Sequence, residues 1–464
     1  MTVVHVWANT YNYATVLATV IGTALVLIMC FGLAYLYSGL ARRKSALHMI
    51  FSVFFILLIS IFHWYFWGYS LAFSSTATNK FIGNLHNFAY QNLDNPYTVI
   101  NDSIIIPEMA YANFQGMFAS ITACIYIGAI CERGRILPFI PFTFLWLTLV
   151  YCPVTCWIWN SNGWAYKWGV LDYAGGGPVE ILSGFSGFVI SYFLGQRREH
   201  LMINFRPHNV SMVTIGTMLL WFGWLGFNGL TCLSPSLKSV YAIMNTNLCA
   251  AFAGFTWVLL DFYRTNHWST VGLCSGIISG LVAATPTSGC IPLWSSIILG
   301  IVSGFTCNFA TIIKIWFKVD DSLDVLAEHG IAGVIGLFFN GLFATDYILG
   351  YDGYTIHPGG WMNQNWKQLY KQIAYIGAVI GYSMVVTALL CFIINKLPYC
   401  NLRVDETGEE LGMDEDQIGE FAYDYVEVRR NFFDVHGLDN VHANANPPTT
   451  PVSDIHSTIQ NKQE

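Results

Sequence analysis

Apolar stretches without Asp, Glu, Lys or Arg recur along most of the chain. A helix needs about 20 apolar residues to cross a bilayer core, and most of these stretches are that long. The stretch 265–313 is 49 residues long but contains the turn signal TPTSG at 285–289, so it predicts two helices. The pattern therefore predicts an all-α integral membrane protein with eleven transmembrane helices. They are expected within 1–41 (the span itself at 10–38), 45–79, 109–131, 136–166, 181–196, 207–237, 239–260, 265–313 (two helices), 329–345 and 372–395.

The composition agrees with a membrane protein and excludes other classes. Hydrophobic residues make up 54% of the chain and charged residues 11%, whereas about 25% of the residues in a soluble domain are charged. A net charge of −7 offers nucleic acid no electrostatic footprint. The 12 cysteines are scattered singly, without the spacing of a zinc site, and are interpreted as apolar packing residues. We expect neither a metal nor a cofactor.

The distribution of Lys and Arg predicts the orientation. An odd number of spans places the termini on opposite sides, and cytoplasmic loops carry the excess of positive charge. With the N-terminus outside, the inner loops hold 11 Lys and Arg, the outer loops hold 5, and the C-terminal tail adds five more inside. The N-terminus is therefore expected to be extracellular and the C-terminus cytoplasmic. The predicted outer loop 80–108 contains a glycosylation sequon, NDS at 101–103.

Two ionisable residues, Glu180 and His329, are assigned to the fifth and tenth predicted spans. Charges within a membrane are costly, so such residues are functional candidates. Each is followed by glycines four and seven positions later, namely Gly184 and Gly187, and Gly333 and Gly336. The alternative, that either residue only packs, is weakened by this matching.

The charge count also sets the fifth and tenth spans in opposite directions. This predicts an inverted repeat of spans 1–5 and 6–10, followed by an eleventh helix, with the site at the interface of the repeats near the midplane. About ten helical residues reach the midplane from either face. Glu180 and His329 are therefore expected to meet there.

Five segments, in order along the chain, resemble the ammonium transporter, methylammonium permease and Rhesus family. They are YSGLARRK (37–44), WGYSLAF (67–73), DYAGG (172–176) with an ionisable residue eight after the Asp, WLGFN (224–228), and VDD (319–321) followed by Asp324 and His329-Gly330. The resemblance covers residues 14 to about 430, and 414–423 resembles the cytoplasmic regulatory segment of the fungal branch. Most of the family has a second pore histidine where this chain has Glu180, as in one subset of fungal permeases.

This resemblance implies uptake of ammonium and methylammonium across the plasma membrane by a homotrimer in membrane lipid, with one hydrophobic pore per subunit. It places Glu180 and His329 in the pore, Phe118 and Phe227 at a gate, and Trp159, Phe114, Thr231 and Asp172 at an outer recruitment site, where Asp172 supports the site from behind. A cation over an aromatic face gains about 0.5–2 kcal/mol. Trp157 and Trp164 are alternatives to Trp159, and all three could instead be interfacial anchors.

The resemblance leaves two functions open, a transporter and an ammonium receptor that signals through its tail. An enzyme is not expected, because no GxSxG, HExxH or P-loop motif occurs. We expect a transport domain at 1–396, a regulatory segment at 397–437 and a disordered tail at 438–464. The apolar residues of 414–430 are expected to dock on the inner loops, and 449–453 contains candidate sites for a regulatory kinase.

Overall fold

The computed structural model describes residues 11–93, 96–99, 104–198 and 206–423. Ten helices in these residues are long and apolar enough to cross a membrane, and an eleventh apolar helix has 15 residues. In chain order they are α1 Tyr13–Leu40, α2 Arg43–Phe73, α3 Glu108–Ile130, α4 Ile136–Trp168, α5 Gly176–Leu194, α6 Val210–Gly229, α7 Leu237–Thr265, α8 Thr270–Ala284, α9 Leu293–Trp316, α10 Leu326–Phe343 and α11 Lys367–Ile394. The prediction of an all-α membrane protein is confirmed.

Irregular structure is confined to the connections and a few local breaks. A short antiparallel hairpin pairs Pro96–Val99 with Ile104–Pro107 in the loop before α3. The turn predicted inside 265–313 separates α8 from α9. Helix α4 is interrupted after Trp159 and resumes for one turn at Trp164–Trp168. The helix boundaries therefore follow the apolar pattern closely.

Polar side chains begin several of the helices. The side-chain oxygens of Asn12, Asn209 and Ser269 accept hydrogen bonds from backbone N–H groups in the first turns of α1, α6 and α8, at 3.0, 3.0 and 2.9 Å. These bonds satisfy donors that have no partner within the helix. The same residues mark, in the sequence, where each apolar run starts.

Glycines allow α1 and α6 to pack backbone against backbone. A Cβ atom on Gly32 would lie 2.8 Å from the Gly216 carbonyl oxygen, and one on Gly39 would lie 2.8 Å from the Asn209 oxygen. As residue numbers rise along α1, those of the contacts on α6 fall, so the two helices are antiparallel. Small residues are the usual means of such close approach in membrane proteins.

The segment after α11 folds back on the loops between helices. The backbone of Arg133 and Arg135 pairs with that of Val404 and Leu402, with N–O distances of 3.0 and 2.9 Å. The Asp414 carboxylate accepts hydrogen bonds from the backbone N–H groups of Leu47 and His48 at 3.1 and 2.7 Å.

These tail contacts are polar, whereas the sequence analysis expected an apolar stripe. Phe421, one of the predicted docking residues, is 60% exposed. The predicted disordered tail at 438–464, the candidate phosphorylation sites at 449–453 and the sequon at 101–103 lie outside the described residues.

Candidate functional site

Helices α5 and α10 cross at their glycines. A methyl group on Gly184 would lie 2.2 Å from the Gly330 backbone nitrogen, and one on Gly176 would lie 3.1 Å from the Leu337 side chain. Contacts that rise along α5 fall along α10, so these helices are antiparallel, as the charge count predicted. The glycines let the two backbones approach closely enough for side chains near the crossing to meet.

Glu180 and His329 meet at this crossing. The Glu180 Oε2 atom lies 2.8 Å from His329 Nδ1. Glu180 is fully buried and His329 is 4% exposed. The second carboxylate oxygen, Oε1, is buried without a hydrogen-bond partner among the described residues. An acid and a base in direct contact, with one acceptor atom to spare, can take up and pass on a proton as a coupled pair.

Asp172 holds the start of α5. Its carboxylate accepts hydrogen bonds from the backbone N–H groups of Gly175, Gly176 and Gly177 at 3.1, 2.6 and 2.7 Å. Gly175 has φ +110°, a conformation that other residues rarely adopt. The carboxylate thereby satisfies donors of the buried helix N-terminus and complements its positive dipole end.

Asp321 caps the start of α10 in the same way. It stands eight residues before His329, as Asp172 stands eight before Glu180. Its carboxylate accepts from the N–H groups of Val325 and Leu326 at 3.2 and 2.9 Å. The two titratable residues therefore occupy equivalent positions behind equivalent caps.

Glu180 and His329 both lie near the start of a helix. Glu180 is the fifth residue of α5 and His329 the fourth of α10. The chain before each helix is largely non-helical. We call residues 169–175 the α5 entry segment and residues 317–325 the α10 entry segment. The two Asp caps satisfy backbone N–H groups where these helices begin in buried surroundings.

The predicted gate and recruitment aromatics form one cluster. The rings of Phe118 and Phe227 are stacked with centroids 4.1 Å apart and an interplanar angle of 16°. Phe114 lies 4.9 Å and Trp159 5.8 Å from the Phe118 ring. Phe114, Phe118 and Phe227 are buried, and Trp159 is half-buried.

Trp159, Asp172 and Thr231 are joined to this cluster by hydrogen bonds. Trp159 Nε1 donates to the Asp172 backbone oxygen at 3.4 Å. The Thr231 hydroxyl donates to the Phe227 carbonyl at 2.5 Å, which leaves its oxygen free to accept. The alternative tryptophans Trp157 and Trp164 pack against each other, with ring centroids 5.6 Å apart. The structure thus brings the six gate and recruitment candidates into one group, which the Asp172 backbone joins to the start of the helix that carries Glu180.

Sequence reasoning missed several polar residues at the site. Glu328, next to His329, is 7% exposed, and an acidic residue at the edge of an apolar run was a signal for it. Asn340 and Gln372 donate to the Leu171 backbone oxygen at 3.0 and 2.6 Å. Neutral amides give no comparable signal in the sequence. Within the described ranges, no group of three or more His, Cys, Asp or Glu side chains could hold a metal ion.

An apolar helical bundle with a buried acid–base pair is what a membrane transporter of a protonated solute requires. Comparison with known proteins identifies the class. The chain belongs to the Ammonium Transporter Family, whose sequence model matches residues 17–423. It is therefore a membrane transporter and not an enzyme.

Fungal ammonium transporters are among its similar relatives and structural neighbours. Ammonium transporter MEP3 of Saccharomyces cerevisiae is 61% identical over 430 residues, which cover 92% of this chain and 87% of MEP3. Ammonium transporter MEP1 of the same organism is 60% identical over 426 residues, or 92% and 86% of the two chains. The crystal structure of Saccharomyces cerevisiae Mep2 superposes with a TM-score of 0.81 at 40% identity and covers 90% of this chain and 94% of that one. A structure titled "Sensor Amt Protein" matches with a TM-score of 0.78 at 26% identity, covering 88% and 98%.

Proposed function

We propose that this chain takes up ammonium and methylammonium across the plasma membrane through a hydrophobic pore in each subunit of a homotrimer. In this account ammonium gives up its proton, NH3 crosses the apolar pore, and Glu180 and His329 relay the proton separately. The 2.8 Å contact between the buried carboxylate and the imidazole is the observation that carries the proposal.

The cost of moving a charge supports deprotonation. An ion stripped of water in an apolar environment loses at least several kcal/mol of solvation. Passing the proton to Glu180 and His329 lets the remaining NH3 cross uncharged. The spare Glu180 oxygen provides the acceptor that such a transfer needs.

The aromatic cluster suggests how ammonium reaches the pair. Trp159, Phe114 and Thr231 would bind the cation through ring faces and a hydroxyl oxygen, with Asp172 behind them. The stacked rings of Phe118 and Phe227 leave no passage between them at 4.1 Å. Transport then requires at least one of these two rings to rotate aside, and Phe118 and Phe227 therefore act as a gate.

The membrane topology of the proposal has eleven spans, with α8 as the shortest, and an inverted repeat of the first and second five helices. It is supported by the antiparallel crossings of α1 with α6 and of α5 with α10, and by the equivalent caps Asp172 and Asp321. The excess of Lys and Arg places the N-terminus outside and the C-terminus in the cytoplasm.

In this proposal residues 1–396 carry out transport, 397–437 regulate it, and 438–464 form a tail in which a kinase could act. Since Asp414 binds the start of α2, deletion from residue 414 should impair uptake. Deletion of 438–464 should leave uptake nearly unchanged. Equal effects of the two truncations would show that the docked segment has no regulatory role.

Reconstitution tests the proposed activity directly. Purified protein in liposomes should accumulate labelled methylammonium, and unlabelled ammonium should compete with it. Protein-free liposomes and liposomes with the transport-impaired truncation are the controls. The proposal fails if intact, correctly oligomerised protein gives no uptake above the protein-free background.

A second function, ammonium sensing, is retained because a structure titled "Sensor Amt Protein" shares the fold. A receptor would signal through its tail without depending on flux. Cells expressing a variant that cannot transport, such as Glu180→Gln if it proves inactive, should then still show the ammonium-dependent response. Loss of the response together with transport would leave the transporter as the sole function.

A further inference from the structure

An apolar groove opens between α5, α11 and the α10 entry segment, and neither Glu180 nor His329 lines it. Its volume is about 480 Å³. We call it the α5–α11 groove, and it is lined chiefly by Phe188 and Tyr192 of α5, Phe317 and Val319 of the α10 entry segment, and Met384 and Val385 of α11. Pockets of about 300–1,000 Å³ hold small organic molecules, so there is room for an acyl chain.

The mouth of the groove carries large apolar side chains in the open. Tyr192, Phe317 and Val385 are 67%, 65% and 60% exposed. Helices α5 and α11 are both apolar enough to cross a membrane, and exposed apolar side chains on such helices fit contact with the hydrocarbon of the bilayer. An occupant must therefore be apolar where it contacts these side chains.

Two lysines stand at one end of the groove. Lys318 is exposed and lies between the lining residues Phe317 and Val319. Lys396 follows the end of α11, eight residues or about 12 Å beyond the lining residue Ala388. The nearby acid Asp320 is already paired with Arg197. Basic residues beside a membrane helix attract anionic head groups.

The floor of the groove connects to the start of α10. Phe188, Val319 and Leu326 form a small buried cluster separate from the main hydrophobic core. The Phe188 and Phe317 rings meet edge to face with centroids 6.0 Å apart. Leu326 is the first residue of α10 and receives the Asp321 cap. An occupant of the groove therefore rests on the residues that position the helix of His329.

We propose that the α5–α11 groove binds one acyl chain of an anionic phospholipid from the leaflet nearest the C-terminal ends of α5 and α11. The head group lies against Lys318 and Lys396. The bound lipid stabilises the packing of α5 on the α10 entry segment. This site is distinct from the proton relay, because neither Glu180 nor His329 lines the groove.

Native mass spectrometry of the full-length protein in detergent tests the proposal. The probes are phosphatidylserine and phosphatidylcholine with identical acyl chains. Attraction to each lysine near an anionic lipid is worth about fivefold in affinity. We therefore expect retention of phosphatidylserine at concentrations about 5- to 25-fold lower than those needed for phosphatidylcholine. The double variant Lys318→Gln, Lys396→Gln should remove this preference while both lipids still bind.

A groove-filling variant separates this site from general lipid contact. Val385→Trp should weaken retention of both lipids, whereas Leu58→Trp, at a residue of α2 that is 62% exposed, should not. If Val385→Trp does not fold, Ala388→Phe fills the same groove. Equal retention of the two lipids by the wild type, or wild-type retention by a folded groove-filling variant, overturns the proposal. A change of oligomeric state in that variant would also overturn it, since the groove would then be an interface between copies.

Discussion

The α5 and α10 entry segments each lead into a helix that carries a titratable residue, but different interactions hold them in place. In the α5 entry segment, the Leu171 backbone is held by neutral amides, with Gln372 accepting from its N–H at 3.0 Å and donating to its carbonyl at 2.6 Å. In the α10 entry segment, Asp320 accepts two hydrogen bonds from the Arg197 guanidinium, at 2.8 and 3.0 Å, and one from the Arg197 backbone N–H at 3.0 Å. A neutral network secures one helix start and an ion-pair network secures the other.

The two entry segments also lead to different titratable residues. The caps Asp172 and Asp321 stand at the same spacing, yet they lead to a carboxylic acid in α5 and to an imidazole in α10. The helix frame is thus repeated, whereas the titratable groups and their supports have diverged. The frame depends on caps and glycines, which tolerate few alternatives. The supporting network can be exchanged as long as each polar group keeps a partner.

The largest expected effect comes from breaking the ion-pair support. Arg197 also donates to the buried carboxylate of Glu132 at 2.8 Å. Arg197→Ala removes this partner from the buried carboxylate of Glu132 and from the partly buried carboxylate of Asp320. Arg42 and Arg133 stay close to these carboxylates, so the loss should cost up to about 3–5 kcal/mol, seen as a large fall in the thermal unfolding temperature in detergent. Arg198→Ala is the matched control, because Arg198 pairs with exposed Glu406 and Glu410 and should cost only about 0–1 kcal/mol. Equal falls would mean that burial of the network does not matter.

The pH dependence of this network follows from Asp320. Burial would raise the pKa of Asp320, but the Arg197 hydrogen bonds and the Arg133 charge lower the pKa to about 2 from 3.8. The stabilisation from a lowered pKa is fully present above pH 3.8 and is lost as the pH falls towards 2. Between pH 7 and pH 5 the Arg197→Ala penalty should therefore stay constant. A penalty that shrinks across this range would contradict the assignment.

The next largest effect is expected from the helix caps Asp172 and Asp321. Asp172 accepts three backbone hydrogen bonds and Asp321 accepts two. Hydrogen bonds to a charged group contribute about 1.5–3 kcal/mol, and Asn cannot replace the charge. Asp172→Asn should lower the unfolding temperature more than Asp321→Asn does. The reverse order would indicate that the α10 entry, not the α5 entry, limits the stability of the site.

A smaller effect is expected from the helix crossing. Gly184→Ala brings a methyl group to 2.2 Å from the Gly330 nitrogen, so α5 and α10 must separate. Overpacking of this kind costs about 1–3 kcal/mol, and it should lower uptake because it moves Glu180 from His329. Gly377→Ala in α11 is the control, since no atom lies within 4 Å of its Cβ position. A loss of uptake in both variants would point to a general effect of helix glycines.

The smallest effect concerns recruitment. Trp159→Leu removes an aromatic face worth about 0.5–2 kcal/mol to a cation, so the apparent affinity for methylammonium should fall about 2- to 30-fold, with poorer discrimination against potassium. Trp164→Leu, in the neighbouring Trp157–Trp164 pair, should leave both unchanged. If only Trp164→Leu changes them, the recruiting residue is in that pair.

The parts that depend on apolar runs and on glycine spacing could be predicted from the sequence. These include the helix positions, the antiparallel crossing of α5 with α10 and the meeting of Glu180 with His329. Both helices start a few residues before the predicted spans 181–196 and 329–345, at Gly176 and Leu326. These starts were not predicted, because an apolar run gives no indication that an Asp side chain caps a buried N-terminus.

The hydrogen bonds from neutral amide side chains could not be predicted from the sequence either. Gln372 is 201 positions from its partner Leu171, and an amide has neither a charge nor a periodic pattern that would reveal the pairing. Docking of the tail was predicted from its apolar residues. The observed contact is instead made by the Asp414 carboxylate, which accepts hydrogen bonds from backbone N–H groups.

The central claim is that Glu180 and His329 relay the proton of ammonium, and charge movement tests it most directly. Current and labelled uptake should be measured together in liposomes containing wild-type, Glu180→Gln or Glu180→His protein. We expect Glu180→Gln, which has a similar size but cannot titrate, to reduce the ammonium-evoked current and to change the pH optimum of uptake. Glu180→His should keep transport with a moved optimum. Wild-type current with an unchanged pH profile in Glu180→Gln would contradict the relay and leave the pair only a role in shaping the pore.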